Sequence, residues 1–253
     1  MTPRIFVLFL AALLLPSLAL GAKKAGIGNE RIDSYTVAKR IFDAIYRDHR
    51  ETLYCGFPYE ASRYVPLPPG FIIASFRNRA YGMEREHVVP VESFGKAFPE
   101  YRDGSPVCIN SNGEPYRPRD CAAKLSRRFR LMYCDLHNIF PSVGSVNAKR
   151  GHREFEPLPD SADMPFGETC PMKFMRGKAE PPDRTKGTVA RAYRYMDWAY
   201  KEYNMSSKRR RIMEAWDAAY PPDAWECERN RRIKVVQGNE NPFVAAKCEG
   251  KEL

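Results

Sequence analysis

The chain has 253 residues, 43% hydrophobic and 12% aromatic, with 41 lysines and arginines against 31 acids and a formal net charge of +10. That apolar content is ample for a folded core, and one domain is the expectation at this length. The charge excess points to a nucleic acid, an acidic glycan or a membrane surface as partner, with a merely well-solvated basic protein as the alternative.

In chain order, the first 22 residues read as a secretory signal peptide: Arg4, an apolar run from Ile5 to Leu15, then Pro16 and small residues ending at Gly21 and Ala22. No later segment approaches the roughly 20 apolar residues needed to span a bilayer. The expectation is one exported domain over 23–253, secreted or periplasmic, with no membrane anchor, and monomeric. Removing the leader takes away a single charge, that of Arg4, so the exported chain stays strongly basic. Its seven cysteines contain no CxxC pair of zinc type, and export makes disulfides the default. An odd number leaves one thiol over. Cys134, inside the apolar run "LMYCDL", suits a small buried hydrophobe, and Cys108 with Cys121 is the pairing suggested by loop locality.

"RIDSYTVAKRIFDAIYRDH" spaces Tyr35, Ala38, Ile41, Phe42, Ile45 and Tyr46 for an amphipathic helix. From Cys55 to Pro118 the texture is loop-rich, and "GFIIASF" is the best strand candidate. "TVARAYRYMDWAYKEY" puts Val189, Tyr193, Met196, Tyr200 and Tyr203 on one helical face. "SSKRRRIMEAWDAAY" reads as a helix capped at Ser206 or Ser207 and stopped by Pro221 and Pro222. Together these predict a single α+β domain, mainly helical with short strands.

Basic residues gather in "RPRDCAAKLSRRFR", where Arg117, Arg119, Lys124, Arg127, Arg128 and Arg130 face one acid, Asp120, and again at Lys149, Arg150 and Arg153. These two groups bracket the segment with the most chemistry, an arrangement that suits a polyanion better than a small substrate. Upstream, "REHVVP" sets Glu86 beside His87. In a regular strand neighbouring side chains point to opposite faces, so the two can share a site only at a strand end or kink. Asn147 follows in "DLHNIFPSVGSVNAKRGHREF". Glutamate and asparagine are oxygen ligands of the kind Mg²⁺ prefers. A histidine with an ordinary pKa near 6.5 is a suitable general base for drawing a proton from water. Such a set is fit for phosphodiester hydrolysis.

The segment from Arg85 to Phe155 resembles the bacterial endonuclease I family of secreted ββα-metal (His-Me finger) nucleases. The matching pieces are "EHVVP" followed by Phe94 and Gly95, "FRLM" with "DLHN", and "PSVGSVN", with "ARAYRYM" and "PPDAWECERNRRIKVVQGNENPFV" further on. The resemblance implies a ββα-metal finger with His87 as general base, Glu86 and Asn147 as ligands of Mg²⁺ (Mn²⁺ or Ca²⁺ as substitutes), and Arg119 holding the phosphate, with Arg117 nearly as well placed. It also implies sequence-nonspecific cleavage of double- and single-stranded DNA, with RNA as a further substrate, leaving 5′-phosphate ends. Arg117, Lys124, Arg127, Arg128, Lys149 and Arg150 are then the expected nucleic-acid-binding residues, and His137 and His152 are structural or surface groups rather than ligands. At Tyr133 the family often carries glutamate. If that position supplies only a backbone carbonyl to orient His87, nothing is lost; if it supplies a carboxylate, this chain lacks it. A basic binding protein of the same fold without activity is the alternative.

Overall fold

The computed structural model describes residues 27–248; the leader expected over 1–22 lies outside them. The first helix, α1 (Tyr35–Ile45), buries Ala38, Phe42 and Ile45, three of the positions its periodicity marks. The stretch 70–76, expected as a strand, pairs with no neighbour along a ladder. Apart from local turn bonds at Phe71 and Phe76, its backbone bond to a distant segment is Ile72 N–H to the Phe166 carbonyl at 3.1 Å, and Ile72 is left half exposed. Prolines precede it, and Gly70 and Phe76 at its two ends both take left-handed backbone angles, so β-branched content alone could not make a ladder.

The hairpin that organises the molecule pairs β1 (Met83–His87) antiparallel with β2 (Ile139–Val143), His87 opposite Ile139 and Met83 opposite Val143. The helix α6 (Gly144–Arg150) follows β2 with no intervening residue. It starts on a glycine because a Cβ at Gly144 would lie 2.4 Å from the Arg79 carbonyl oxygen and 2.9 Å from Glu84 Oε1. Between the two strands run four short helices, α2 (Val91–Gly95), α3 (Pro99–Arg102), α4 (Pro118–Leu125) and α5 (Arg127–Tyr133). A small sheet follows, in the order β3 (Glu154–Phe155), β5 (Lys178–Glu180), β4 (Lys173–Met175).

The C-terminal layer is helical. The long helix α7 (Asp183–Ala199) is buried on most of its circumference, from Val189 to Met196, and packs on α8 (Ser207–Ala219). The Ser206 hydroxyl caps α8 by accepting from Arg209 N–H at 3.3 Å, as its sequence predicts. Beyond the prolines come α9 (Ala224–Gln237), capped by Asp223, and α10 (Pro242–Cys248). One continuous core joins Phe42, Val88, Val89, Phe129, Met132, Phe155, Tyr193 and Met196, so hairpin and helices fold as a single domain.

Asp135, fully buried, ties the layers together. It accepts hydrogen bonds from the hydroxyls of Tyr195 and Tyr200, from Gln237 Nε2 and from the backbone N–H of Asn29 and His137. Three disulfides join Cys55 to Cys170, Cys108 to Cys121 and Cys227 to Cys248. Cys134 is free and buried, and burial pushes its thiol pKa up to about 12, away from reactive thiolate.

Candidate active site

The hairpin presents its chemistry where β1 ends. His87 is the last residue of the strand, and the chain beyond it is held by Asn138, whose carboxamide accepts from Val89 N–H (2.7 Å) and donates to the Val89 carbonyl (3.0 Å). With the strand interrupted there, Glu86 and His87 both line one cleft, together with Arg79, Arg85, Tyr101, Arg119, Asn147 and other residues. The alternation that would separate neighbouring side chains no longer applies at a strand end.

His87 is buried, with Nε2 2.8 Å from the carbonyl oxygen of Tyr133. A carbonyl can only accept, so Nε2 carries the proton and Nδ1 keeps a lone pair. The Tyr133 ring lies nearly parallel to the imidazole, 4.9 Å between centroids and 6° between planes. Burial pushes the His87 pKa down to about 4, against the Tyr133 carbonyl, with Arg119 and Arg150 adding to the depression. The imidazole is therefore neutral at physiological pH. The bond that orients the imidazole comes from a backbone atom of Tyr133, which any residue at that position could supply.

Glu86 is buried too. Its Oε1 accepts from the Tyr54 hydroxyl (2.9 Å) and from Arg150 Nη1 (2.7 Å); Oε2 takes neither bond. Burial raises its pKa, and Arg150 and Tyr54 pull against that. Asn147 sits on α6, where its Nδ2 donates to Glu84 Oε2 at 2.7 Å. Arg79 in turn grips both Glu84 oxygens, with Nε at 2.7 Å from Oε1 and Nη2 on Oε2. With its nitrogen committed, the Asn147 carboxamide keeps Oδ1 for other duty. Two oxygen donors in one cleft fit a hard cation that takes one or two protein ligands and completes its shell with water or phosphate. No group of three or more His, Cys, Asp or Glu that could cage a metal is found among the described residues.

Arg119, on α4, lines the same cleft with its guanidinium 5.9 Å from the Tyr133 ring centroid. The other expected nucleic-acid-binding residues do not line it. Arg117 pairs with Asp120 at 2.7 Å, Lys124 donates to the Val107 carbonyl, Arg127 lies 3.6 Å from Asp33, and Arg128 binds Glu202 and Glu30. Lys149 stands 5.4 Å over the Phe174 ring. Arg150 requires a correction, because it is wholly buried, bonding Glu86, the carbonyls of His87 and Val88, and the Tyr193 hydroxyl, with its Cζ 4.5 Å from the Phe155 ring centroid. A guanidinium without solvent access cannot meet a phosphate; it neutralises Glu86 and splints the end of β1.

Sequence reasoning missed Glu84, Arg79 and Arg85. Glu84 belongs to the same strand face as Glu86, two residues on, and that spacing was the available signal. His137 is buried against Tyr195 (4.6 Å) with Nε2 at 3.2 Å from the Asn239 carbonyl. His152 is exposed at the cleft rim, 3.3 Å from Glu92.

An antiparallel hairpin running into a helix, with a histidine ending the first strand and an asparagine on the helix, is the ββα arrangement that the sequence resemblance leads one to expect. The family model for Endonuclease I matches residues 72–248. The chain is 34% identical to an extracellular deoxyribonuclease of Aeromonas hydrophila over 227 residues, 87% of this chain and 91% of that protein. It is 33% identical to a periplasmic deoxyribonuclease of the same organism (93% and 96% covered), and 31% identical to Endonuclease-1 of Buchnera aphidicola (89% and 86%). The chain belongs to the endonuclease I family.

Proposed function

We propose that the protein is an exported, Mg²⁺-dependent, sequence-nonspecific endonuclease that hydrolyses DNA, with RNA as a further substrate, and leaves 5′-phosphate ends. The observation that carries this reading is His87: a neutral imidazole, its Nε2 fixed on the Tyr133 carbonyl, with an unprotonated Nδ1 in a cleft shared with Glu86, Asn147 and Arg119. His87 takes a proton from the water that attacks phosphorus in line. Arg119 holds the non-bridging phosphate oxygens, for which a guanidinium fork is well suited. Mg²⁺, held by Glu86 Oε2 and Asn147 Oδ1, would supply charge neutralisation on the phosphate and at the departing 3′ oxygen. Because contacts fall on the backbone, binding should weaken steeply with salt and read little base sequence. Extracellular and periplasmic relatives support export, and among the described residues no helix is long and apolar enough to cross a membrane.

The test is plasmid nicking by leader-free protein in Mg²⁺ and in chelator, with His87→Ala beside the wild type. Cleavage that requires the metal and vanishes in the variant is the expected result. Binding without cleavage in every metal tried would instead make the protein a nucleic-acid-binding relative without activity.

A further inference from the structure

Beside the cleft lies a surface that the hydrolytic chemistry does not use. Tyr64 and Tyr81 are 45% and 49% exposed and stack with planes 4° apart and centroids 6.0 Å apart, while Phe76 is 47% exposed. These are large rings to leave in water, and the backbone is built to leave them there. Phe76 has φ 53°, left-handed for a non-glycine residue, a conformation that persists only where the surroundings impose it and that concentrates at binding sites. Tyr64 is bridged to Gly82 and Val65 N–H bonds the Tyr81 carbonyl, which fixes the tyrosine pair at the start of β1. The turn over 76–82, "FRNRAYG", carries two arginines and no acid. Arg79 is the hinge between this surface and the site: its guanidinium stands 6.0 Å from the Phe76 ring centroid, it grips Glu84, and it lines the cleft.

We infer that Phe76, Tyr64 and Tyr81 form a stacking platform for unpaired bases of a single-stranded stretch of the substrate, whose backbone Arg79 and Arg77 guide toward His87. The proposal rests on the nuclease reading for its substrate and extends it to a base-contacting subsite. Exposed aromatic faces interleaved with guanidinium groups, continuous with a basic cleft, are the pattern of sequence-tolerant single-strand binding, because every base has a face to stack. In an intact duplex the bases are already stacked on one another, so the platform favours frayed, nicked or single-stranded substrate.

The experiment measures fluorescence anisotropy with a labelled single-stranded 12-mer, the same strand with abasic sites, and the corresponding duplex, all in chelator so that nothing is cut. Phe76→Leu and Tyr81→Leu keep apolar volume and remove the ring; each is expected to weaken single-strand binding about tenfold while changing abasic-strand and duplex binding less than about twofold. Tyr81→Trp keeps a stacking face and should bind as the wild type does. Equal losses on all three probes, or none on any, overturn the platform. So does a concentration-dependent dimer that the leucine variants abolish while oligonucleotide affinity stays constant, since the face would then belong to a second copy. Plasmid nicking in Mg²⁺ by the same wild-type preparation separates the two readings. Ring-dependent binding without nicking removes the nuclease and keeps the platform; nicking with ring-indifferent binding does the reverse.

Discussion

Glu84 and Arg150 stand behind the two proposed metal ligands, and they act in different ways. Glu84 fixes which end of the Asn147 carboxamide faces the cleft, through a bond of 2.7 Å to the amide nitrogen. Glu84→Ala frees that carboxamide to rotate, and partners of this kind usually change metal affinity by about 10- to 100-fold. The expected outcome is a rise of that size in the Mg²⁺ concentration giving half-maximal cleavage, with near-wild-type rates regained at high Mg²⁺; an unchanged Mg²⁺ dependence would show that Glu84 orients nothing. Arg150 is the buried counter-charge of Glu86. Arg150→Met leaves that carboxylate uncompensated and should cost about 3–5 kcal/mol in urea unfolding. Arg119→Ala, on the exposed side of the cleft, should leave stability within about 0.5 kcal/mol and slow cleavage about a hundredfold. The contrast shows what residue types disclose. That Glu86, His87 and Asn147 share one cleft was legible from their motifs, and Arg119 lines it where the sequence left Arg117 nearly as good a choice, whereas burial, which separates Arg150 from Lys149, is decided by packing against Phe155 and Tyr193.

Legibility at the scale of elements followed the chemistry of the buried face. α1, α7 and α8 bury apolar stripes and were found by their period. α9 buries Glu226, Arg229, Asn230 and Gln237, which bond Arg191, Tyr46, Asn241 and Asp135, so its inward face carries little hydrophobic rhythm. The failure at 70–76 is the converse, apolar and β-branched residues without a partner strand. The short turn between α5 and β2 belongs to the same polar interior, and it carries a pH dependence. Burial depresses the His137 pKa to about 4, below the value near 6.5 of an unfolded chain. Between those values the unfolded state binds the proton and the folded state does not. Stability from this group is therefore complete above about pH 6.5 and is lost as pH falls toward 4. The effect between pH 7 and pH 5 is about 2 kcal/mol. His137→Phe forfeits the bond to Asn239 and should be less stable at pH 7, yet its urea midpoint should fall less between pH 7 and pH 5 than the wild type's. A parallel fall in both proteins would place the acid sensitivity elsewhere.

For the molecule as a whole, the three disulfides act on stability through the length of chain they close and on activity through what they sit beneath. Cys55–Cys170 spans 115 residues and encloses the entire hairpin-helix unit, while Cys108–Cys121 and Cys227–Cys248 span 13 and 21. On loop-closure entropy the first contributes about 5 kcal/mol and the other two about 3 kcal/mol each. The two short bridges are therefore nearly matched in stability but not in place. Cys121 lies on α4 two residues from Arg119, so the bridge to Cys108 braces the helix that aims the proposed phosphate clamp. Cys227–Cys248 joins α9 to α10, and neither cysteine lines the cleft. Replacing both cysteines of each short bridge by serine should lower the unfolding free energy by similar amounts. At a temperature where both variants remain folded, only loss of Cys108–Cys121 should slow plasmid cleavage, by about tenfold if the mispositioned arginine forfeits roughly 1.4 kcal/mol of transition-state binding. Wild-type rates from both variants would mean that α4 holds Arg119 in place without its bridge. Equal slowing of both would mean that the bridges serve the fold alone and activity follows global stability.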